Sequence, residues 1–289
     1  MEIVGHEKIR EKLKNLVKTE KVGHAYLFCG KSGIGKKLVA IEFIKSIMCM
    51  QNNDGLACGK CISCNTFFNN SDFKIIQPEK NIIKVDQIRE MAKEIYLKPT
   101  ISKRKCFIID DADLMNDSAQ NALLKILEEP PTYATIILIT SSKERLLGTI
   151  KSRVVAIEFS NLKENELQKI LGEDYSKEII QYATGSVGKA MELADNNYIN
   201  IAAELVKVFK TKNFLNINRE VEKIKSDKNL KANIGDILEA VNLVCYKNLK
   251  TDIEKYVEII SIVNETNKNI QRNANLDLAL DNMILQICF

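Results

Sequence analysis

The residues best equipped for chemistry in this 289-residue sequence fall in three short stretches. The first is Gly30-Lys31-Ser32-Gly33-Ile34-Gly35-Lys36-Lys37, which follows an apolar run and opens a helical pattern. Gly30, Gly33 and Gly35 let backbone N–H groups wrap a phosphate, the helix N-terminus favours the anion, and Lys36 would reach the outer phosphates of ATP or ADP. The pattern wants Ser or Thr next, to place a hydroxyl on Mg²⁺. Lys37 stands there instead. It removes an oxygen ligand and adds positive charge beside the cation, unless its flexible stem swings into solvent. The second stretch, Cys106-Phe107-Ile108-Ile109-Asp110-Asp111-Ala112-Asp113, is a strand pattern ending in carboxylates, the Walker-B arrangement. Asp110 would hold the metal through water. Asp111 takes the place of the usual glutamate that polarises the attacking water, and it is one methylene shorter. A misplacement of roughly 1 Å can cost about a hundredfold in rate.

The third stretch is Cys49-x8-Cys58-x2-Cys61-x2-Cys64. Clustered thiols in a chain without a secretory signal more often hold metal than form disulfides. Zn²⁺ accepts four tetrahedral thiolates, and with all four positions filled by protein no water is left for catalysis. An iron–sulfur cluster also takes four cysteines, and unligated thiols are the plain alternative. Cys29, Cys106, Cys245 and Cys288 sit in apolar stretches and read as small buried hydrophobes. Ser102-Lys103-Arg104-Lys105 could touch DNA phosphates, or be a solvated turn; it lacks the interleaved aromatics of a single-strand platform.

The elements that must position these residues are legible as apolar runs. Ala25–Cys29, Phe73–Ile76, Cys106–Ile109 and Thr135–Ile139 are near-continuous, and Val155–Phe159 alternates. Such runs separated by helices predict a parallel sheet covered on both faces, a doubly wound α/β domain. One helix is expected to start with Asp117 as N-cap, Gln120 three residues on, and to stop before Pro130-Pro131. Beyond about residue 160 the strand signal ends. Asn161 with Glu164 reads as a helix cap, Gly185-Ser186-Val187-Gly188 as a break, and the rest as helices. Leu276, Ala279, Leu280, Met283, Ile284 and Ile287 form one apolar helical face, read first as bundle core. A composition of 45% apolar and 28% charged residues fits the globular class, and no apolar run is long enough to span a membrane. The N-terminus lacks the apolar core of a secretory signal, so a cytoplasmic protein is expected. Net charge of +4 with a pI of about 8.5 permits phosphate contacts without demanding them.

Taken with Asn121-Ala122-Leu123-Leu124-Lys125-Ile126-Leu127-Glu128-Glu129-Pro130-Pro131 and Ser152-Arg153, these motifs resemble the bacterial clamp-loader ATPases of the AAA+ superfamily. The likeness runs from Val4-Gly5-His6-Glu7 and His24–Phe28 to Asn273-Ala274-Asn275-Leu276-Asp277, nearly the whole chain. It implies an α/β P-loop (RecA-like) core with a small zinc module over 1–160, an all-helical lid over 161–204 and an all-helical collar over 205–289. It also implies a five-subunit ring with gamma/tau and delta subunits, which opens a sliding clamp and closes it on primed DNA. The four cysteines then read as a structural zinc module. Gly188 falls where motor subunits carry a lid arginine, while Thr140 and Ser141 occupy the polar sensor position. Lys37, Asp111 and Gly188 together imply an accessory subunit similar to the motors but without their hydrolysis. The runner-up is an autonomous gamma/tau-like ATPase; a zinc-dependent DNA-binding module would need base-reading elements that the sequence lacks. Arg153 keeps the family's Ser-Arg-Cys arginine, with Val154 replacing the cysteine, and is implied to act in trans on a neighbour's phosphoryl transfer.

Overall fold

Apolar runs of four to seven residues form five strands: β1 (Ala25–Cys29), β2 (Phe73–Ile76), β3 (Lys105–Ile109), β4 (Ala134–Thr140) and β5 (Val155–Glu158). Each matches a run expected from the sequence. In the computed structural model, which describes all residues except 1, 2, 53, 173, 174, 176, 196, 197 and 273, they pair in parallel in the order β2-β3-β4-β1-β5. Parallel strands need crossovers, and helices supply them: α2 (Lys36–Met48) and α3 (Ile62–Asn65), α4 (Val85–Ile95), α5 (Asp117–Glu128) and α6 (Gly148–Lys151), with α1 (Glu7–Lys18) before β1 and α7 (Glu164–Leu171) after β5. Leu27, Phe107, Ile136 and Leu138 enter one core with α4 and α5, while Phe28, Ile108 and Ile137 enter another with α1 and α2. Both faces of the sheet are therefore covered, as the unbroken apolar runs require.

Two helix starts differ from expectation. Asn116, not Asp117, caps α5: its Oδ1 accepts from the Ala119 N–H at 2.8 Å, and Asp117 falls in the first turn. Gln120 is not a capping partner but a buried clamp. It donates to Met115 O and Arg145 O and accepts from the Leu147 N–H. Asn161 and Glu164 do not cap α7; Lys163 is the N-cap, and its N–H donates to Glu166 Oε2 at 2.6 Å. Asn161 and Leu162 are instead taken up by packing on Gly185, where a Cβ would lie 2.5 Å from that of Asn161.

The chain separates into two compact units, Met1–Glu173 with Thr184–Gly188, and Asp174–Ala183 with Lys189–Phe289. The second is helical: α8 (Lys177–Tyr182), α9 (Val187–Asp195, from Lys189 on), α10 (Tyr198–Phe209), α11 (Phe214–Ser226), α12 (Lys228–Ala232), α13 (Ile234–Asn248), α14 (Ile253–Gln271) and α15 (Leu276–Cys288). The boundary expected at residue 204 falls inside unbroken α10. Leu280, Met283, Ile284 and Ile287 of α15 are buried in this unit's core, as the helical face predicted, with Leu276 packed at its margin. Asn273 of the closing motif lies outside the described residues.

A buried carboxylate ties the segment before β2 to the segment before β3. Asp72 is fully buried and accepts backbone N–H bonds from Thr100, Ile101 and Ser102 at 2.7–3.0 Å. Burial pushes its pKa up, but those N–H bonds outweigh it and the net shift is downward. A lowered folded pKa means that Asp72 contributes stability above the ordinary carboxylate pKa of about 3.9 and loses it as pH falls through its own lower value. Asp72→Asn keeps one acceptor and turns an amide donor towards donors. It should cost about 1–3 kcal/mol at neutral pH, measured by denaturant unfolding, with the penalty shrinking towards pH 3; an unchanged midpoint at neutral pH would show that the node carries no stability.

Candidate functional site

Parallel pairing sets Cys29 beside Thr140 and Ile109 beside Leu138, so the C-terminal strand ends gather the loop at 30–35, Asp110–Asp113 and Thr140–Ser142 along one edge. Ligands of open α/β sheets bind at such edges. The loop takes backbone conformations that glycine favours, with φ of +72° at Gly33 and +99° at Gly35. Lys36, which opens α2, is buried, and its ammonium donates to Gly30 O and Lys31 O, both at 2.6 Å. Burial lowers its pKa, opposed by the carboxylates of Asp111, Asp110 and Asp113. His6, from the opening motif, donates from Nε2 to Ile34 O at 2.8 Å and fixes the loop from outside.

Lys37 does not swing into solvent. Its Nζ lies 2.9 Å from Oδ2 of Asp110, the carboxylate expected to serve the cation, whose side chain is only 14% exposed. An ammonium about 4 Å from a divalent ion would be repelled by about 8 kcal/mol at an effective dielectric of 20, before screening by water. The residues present therefore do not fit Mg²⁺. Asp111 has a left-handed backbone (φ +48°), and its pKa is raised by burial and by the carboxylates of Asp110 and Asp113, against the pull of Lys36 and Lys37.

The expected phosphate sensors are also engaged by the chain itself. Thr140 is buried, donates to Asp113 Oδ1 at 2.7 Å and accepts from the Ser142 N–H at 3.0 Å. The Ser141 N–H donates to the same carboxylate oxygen at 3.1 Å. Gly188 lies against Gly33, where its Cβ would meet Gly33 Cα at 3.1 Å. The Val187 and Gly188 N–H groups donate to Gly33 O, and Ser186 Oγ donates to Ser32 O. Asp113 was not singled out in the sequence, although its place three residues after Asp110 on a loop beside β4 was visible.

Arg153 is at the surface just beyond α6. Its guanidinium donates to Thr149 O and to Glu128 Oε1, both at 3.0 Å. The Gln120 clamp holds the chain entering α6, and Val154 packs against the sheet core in place of the family's cysteine. Glu128, inside the motif Glu128-Glu129-Pro130-Pro131, is the partner that sequence reasoning did not assign.

The cysteine stretch converges as the spacing predicts. The Sγ atoms of Cys49, Cys58, Cys61 and Cys64 lie within 4.8 Å of one another and could hold a metal ion. Individual separations are 3.9 Å for Cys49–Cys61, 4.0 Å for Cys58–Cys64 and 3.5 Å for Cys61–Cys64. Cys58 and Cys61 N–H groups donate to Cys49 and Cys58 sulfurs, which is where a metal-bound thiolate would be met by backbone dipoles. Ser63 and Asn70 both bond Ser102 Oγ, fastening the stretch to the segment before β3. The basic run there is not a solvated patch: Lys105 is buried and Arg104 donates to Val22 O and Thr132 O, leaving Lys103 as its exposed cation. Burial pushes the Cys29 thiol up to about 11 and those of Cys106 and Cys245 up to about 12; they are inert. Cys288 is only partly buried.

A parallel β2-β3-β4-β1-β5 sheet with a glycine loop after β1 and carboxylates after β3 defines a P-loop α/β protein. Within that class, the profile of the family described as "DNA polymerase III, delta subunit" matches residues 5–163, more than half of the chain, and the chain belongs to this family. It is 32% identical over 209 residues to DNA polymerase III subunit delta' of Bacillus subtilis, covering 70% of this chain and 63% of that one. It is 30% identical over 206 residues to subunit tau/gamma of Haemophilus influenzae, covering 67% of this chain and 30% of that one. The chain thus spans less than two thirds of the length of these curated relatives. A DNA polymerase III gamma subunit-related protein of Thermotoga maritima shares the fold, with a TM-score of 0.59 and 22% identity over 96% of this chain and 98% of that one.

Proposed function

We propose that this protein is a delta-prime-like, non-hydrolysing subunit of a cytoplasmic clamp loader. In this reading it stands in a five-subunit ring beside gamma/tau and delta, and the ring places a sliding clamp on primed DNA. The observation that carries it is the Lys37–Asp110 ion pair, which puts an ammonium where a motor subunit needs its cation. Its helical part then serves as lid and collar, and Arg153 is the group offered to a neighbour. A guanidinium suits that task because it keeps its charge and meets phosphate oxygens bidentately. The exposure of Arg153 and its anchorage on Thr149 and Glu128 support a pre-oriented finger.

The purified chain should show no appreciable ATP hydrolysis; turnover near 1 s⁻¹, an ordinary enzyme rate, would favour a gamma/tau-like motor instead. Arg153→Ala should leave the chain folded and the ring assembled, yet slow clamp loading, since a finger of this kind is worth about 10³–10⁵ in rate at the site it serves. Arg153→Lys should rescue poorly, because it keeps charge without the fork. Wild-type loading rates with Arg153→Ala would remove the trans role.

The cysteine cluster is proposed to hold one structural Zn²⁺. Sulfurs about 2.3 Å from a tetrahedral zinc lie about 3.8 Å apart, close to the separations here, whereas a polynuclear cluster spreads its cysteines over several irons. One zinc per chain is expected by elemental analysis. Chelation should raise hydrogen exchange around residues 49–64 while the parallel sheet stays protected. Iron, or no metal in fresh protein, would refute the assignment.

A further inference from the structure

The surroundings of Lys37 bear on more than the loss of hydrolysis. Two ammonium groups, Lys36 and Lys37, face three carboxylates, Asp110, Asp111 and Asp113, at the end of the sheet. Lys36 lies on the loop carbonyls and Asp113 is taken by Thr140 and Ser141, so Lys37 is the cation left to answer Asp110. A neutral side chain at position 37 would leave a net charge of about −2 in this group, the charge that one divalent ion cancels. With Lys37 present the deficit is only about −1, and the cancelling charge is covalently attached.

We propose that the Lys37 ammonium permanently replaces the divalent cation of this loop, so that a nucleoside diphosphate or triphosphate placed there recruits no Mg²⁺. The geometry supports a replacement rather than an obstruction. Lys37 starts on α2, the helix that follows the phosphate loop, and ends on the strand-end carboxylate, so it joins the two elements a bridging cation would join. The inference rests on the reading of a non-hydrolysing subunit but concerns the metal alone. It would fail independently if the chain bound Mg²⁺ without turning ATP over.

The test is thermal unfolding of the full chain with ADP, in buffer freed of divalent ions by resin, then with Mg²⁺ added. A soluble chelator is avoided because it would also attack the cysteine cluster. Mg²⁺ without ADP corrects for effects elsewhere. Wild type should melt at the same temperature with ADP whether or not Mg²⁺ is present. Lys37→Thr restores the hydroxyl and removes the charge; with ADP it should gain about 2–4 °C or more on adding Mg²⁺, equivalent to at least about tenfold in affinity. Lys37→Ser serves if the threonine variant does not fold. The added Asp110→Asn change should abolish that gain. A comparable Mg²⁺-dependent rise in wild type would overturn the proposal, and so would folded Lys37→Thr or Lys37→Ser protein that shows no Mg²⁺ effect. Arg153 is untouched in these variants, so its role in the assembled ring stands or falls separately.

Discussion

The register between β1 and β4 is the constraint on which the rest of this α/β unit depends. Parallel pairing of Ala25–Cys29 with Ile136–Thr140 makes both strands end at the same height, and β3 follows through its own pairing with β4. A slip of one residue would turn every side chain of a strand to the opposite face. Here both faces are buried, so a slip would also exchange residues between two cores of different shape. That is how Lys37, Asp110, Asp113 and Thr140, separated by more than a hundred residues, come to interact along one edge.

At that edge the groups that ordinarily address a nucleotide and its cation are bonded within the chain. Lys36 closes on the loop carbonyls, Lys37 on Asp110, Thr140 and Ser141 on Asp113, and residues 186–188 on Ser32 and Gly33. Of these, only Lys37 and Gly188 depart from the motif pattern; Lys36, Thr140 and Ser141 match it. With Lys37 on Asp110, two ammonium groups stand against three carboxylates at this edge. On the proposed reading this matters because a cycle of hydrolysis needs such contacts to be made and broken with the nucleotide.

Strands β1, β3 and β4 were legible because both of their faces are buried, which writes each as an apolar run, whereas edge strand β5, largely exposed, showed only alternation. The four-cysteine convergence was legible because two-residue gaps leave little choice of geometry. Side-chain partners were not. Whether Lys37 turns to water or to Asp110 depends on how close β3 brings its end to α2, which no local pattern states. Helix caps slipped by one or two residues because Asn116 and Lys163 adopt the extended backbone of a cap, whereas Asp117 lies within the first turn and Asn161 packs on Gly185. The basic look of Lys103-Arg104-Lys105 dissolved for a related reason: strand β3 begins at Lys105 and draws it inside, while Arg104 satisfies the carbonyls of Val22 and Thr132. The compact units also cut across the linear order, because Thr184–Gly188 returns to the first unit.

The trans role proposed for Arg153 asks for a group that is held in place and can still be given away. Its contact with Glu128 is exposed, and exposed ion pairs are worth about 0–1 kcal/mol, so exchanging that carboxylate for a phosphate oxygen costs little. The backbone behind it is a different matter. Gln120 is buried and bonds on both sides of the turn that leads into α6, at Arg145 and Leu147, and Ile150 anchors α6 itself in the core. The firm bonds therefore fix where the guanidinium starts, and the weak one fixes only where it rests. On the proposed reading that division is what a trans-acting residue requires: a rigid base that does not yield when the neighbouring charge pulls, and a tip that moves at small cost. If Lys37 does fill the cation place as proposed, such a base would also not be displaced by a nucleotide cycle of its own.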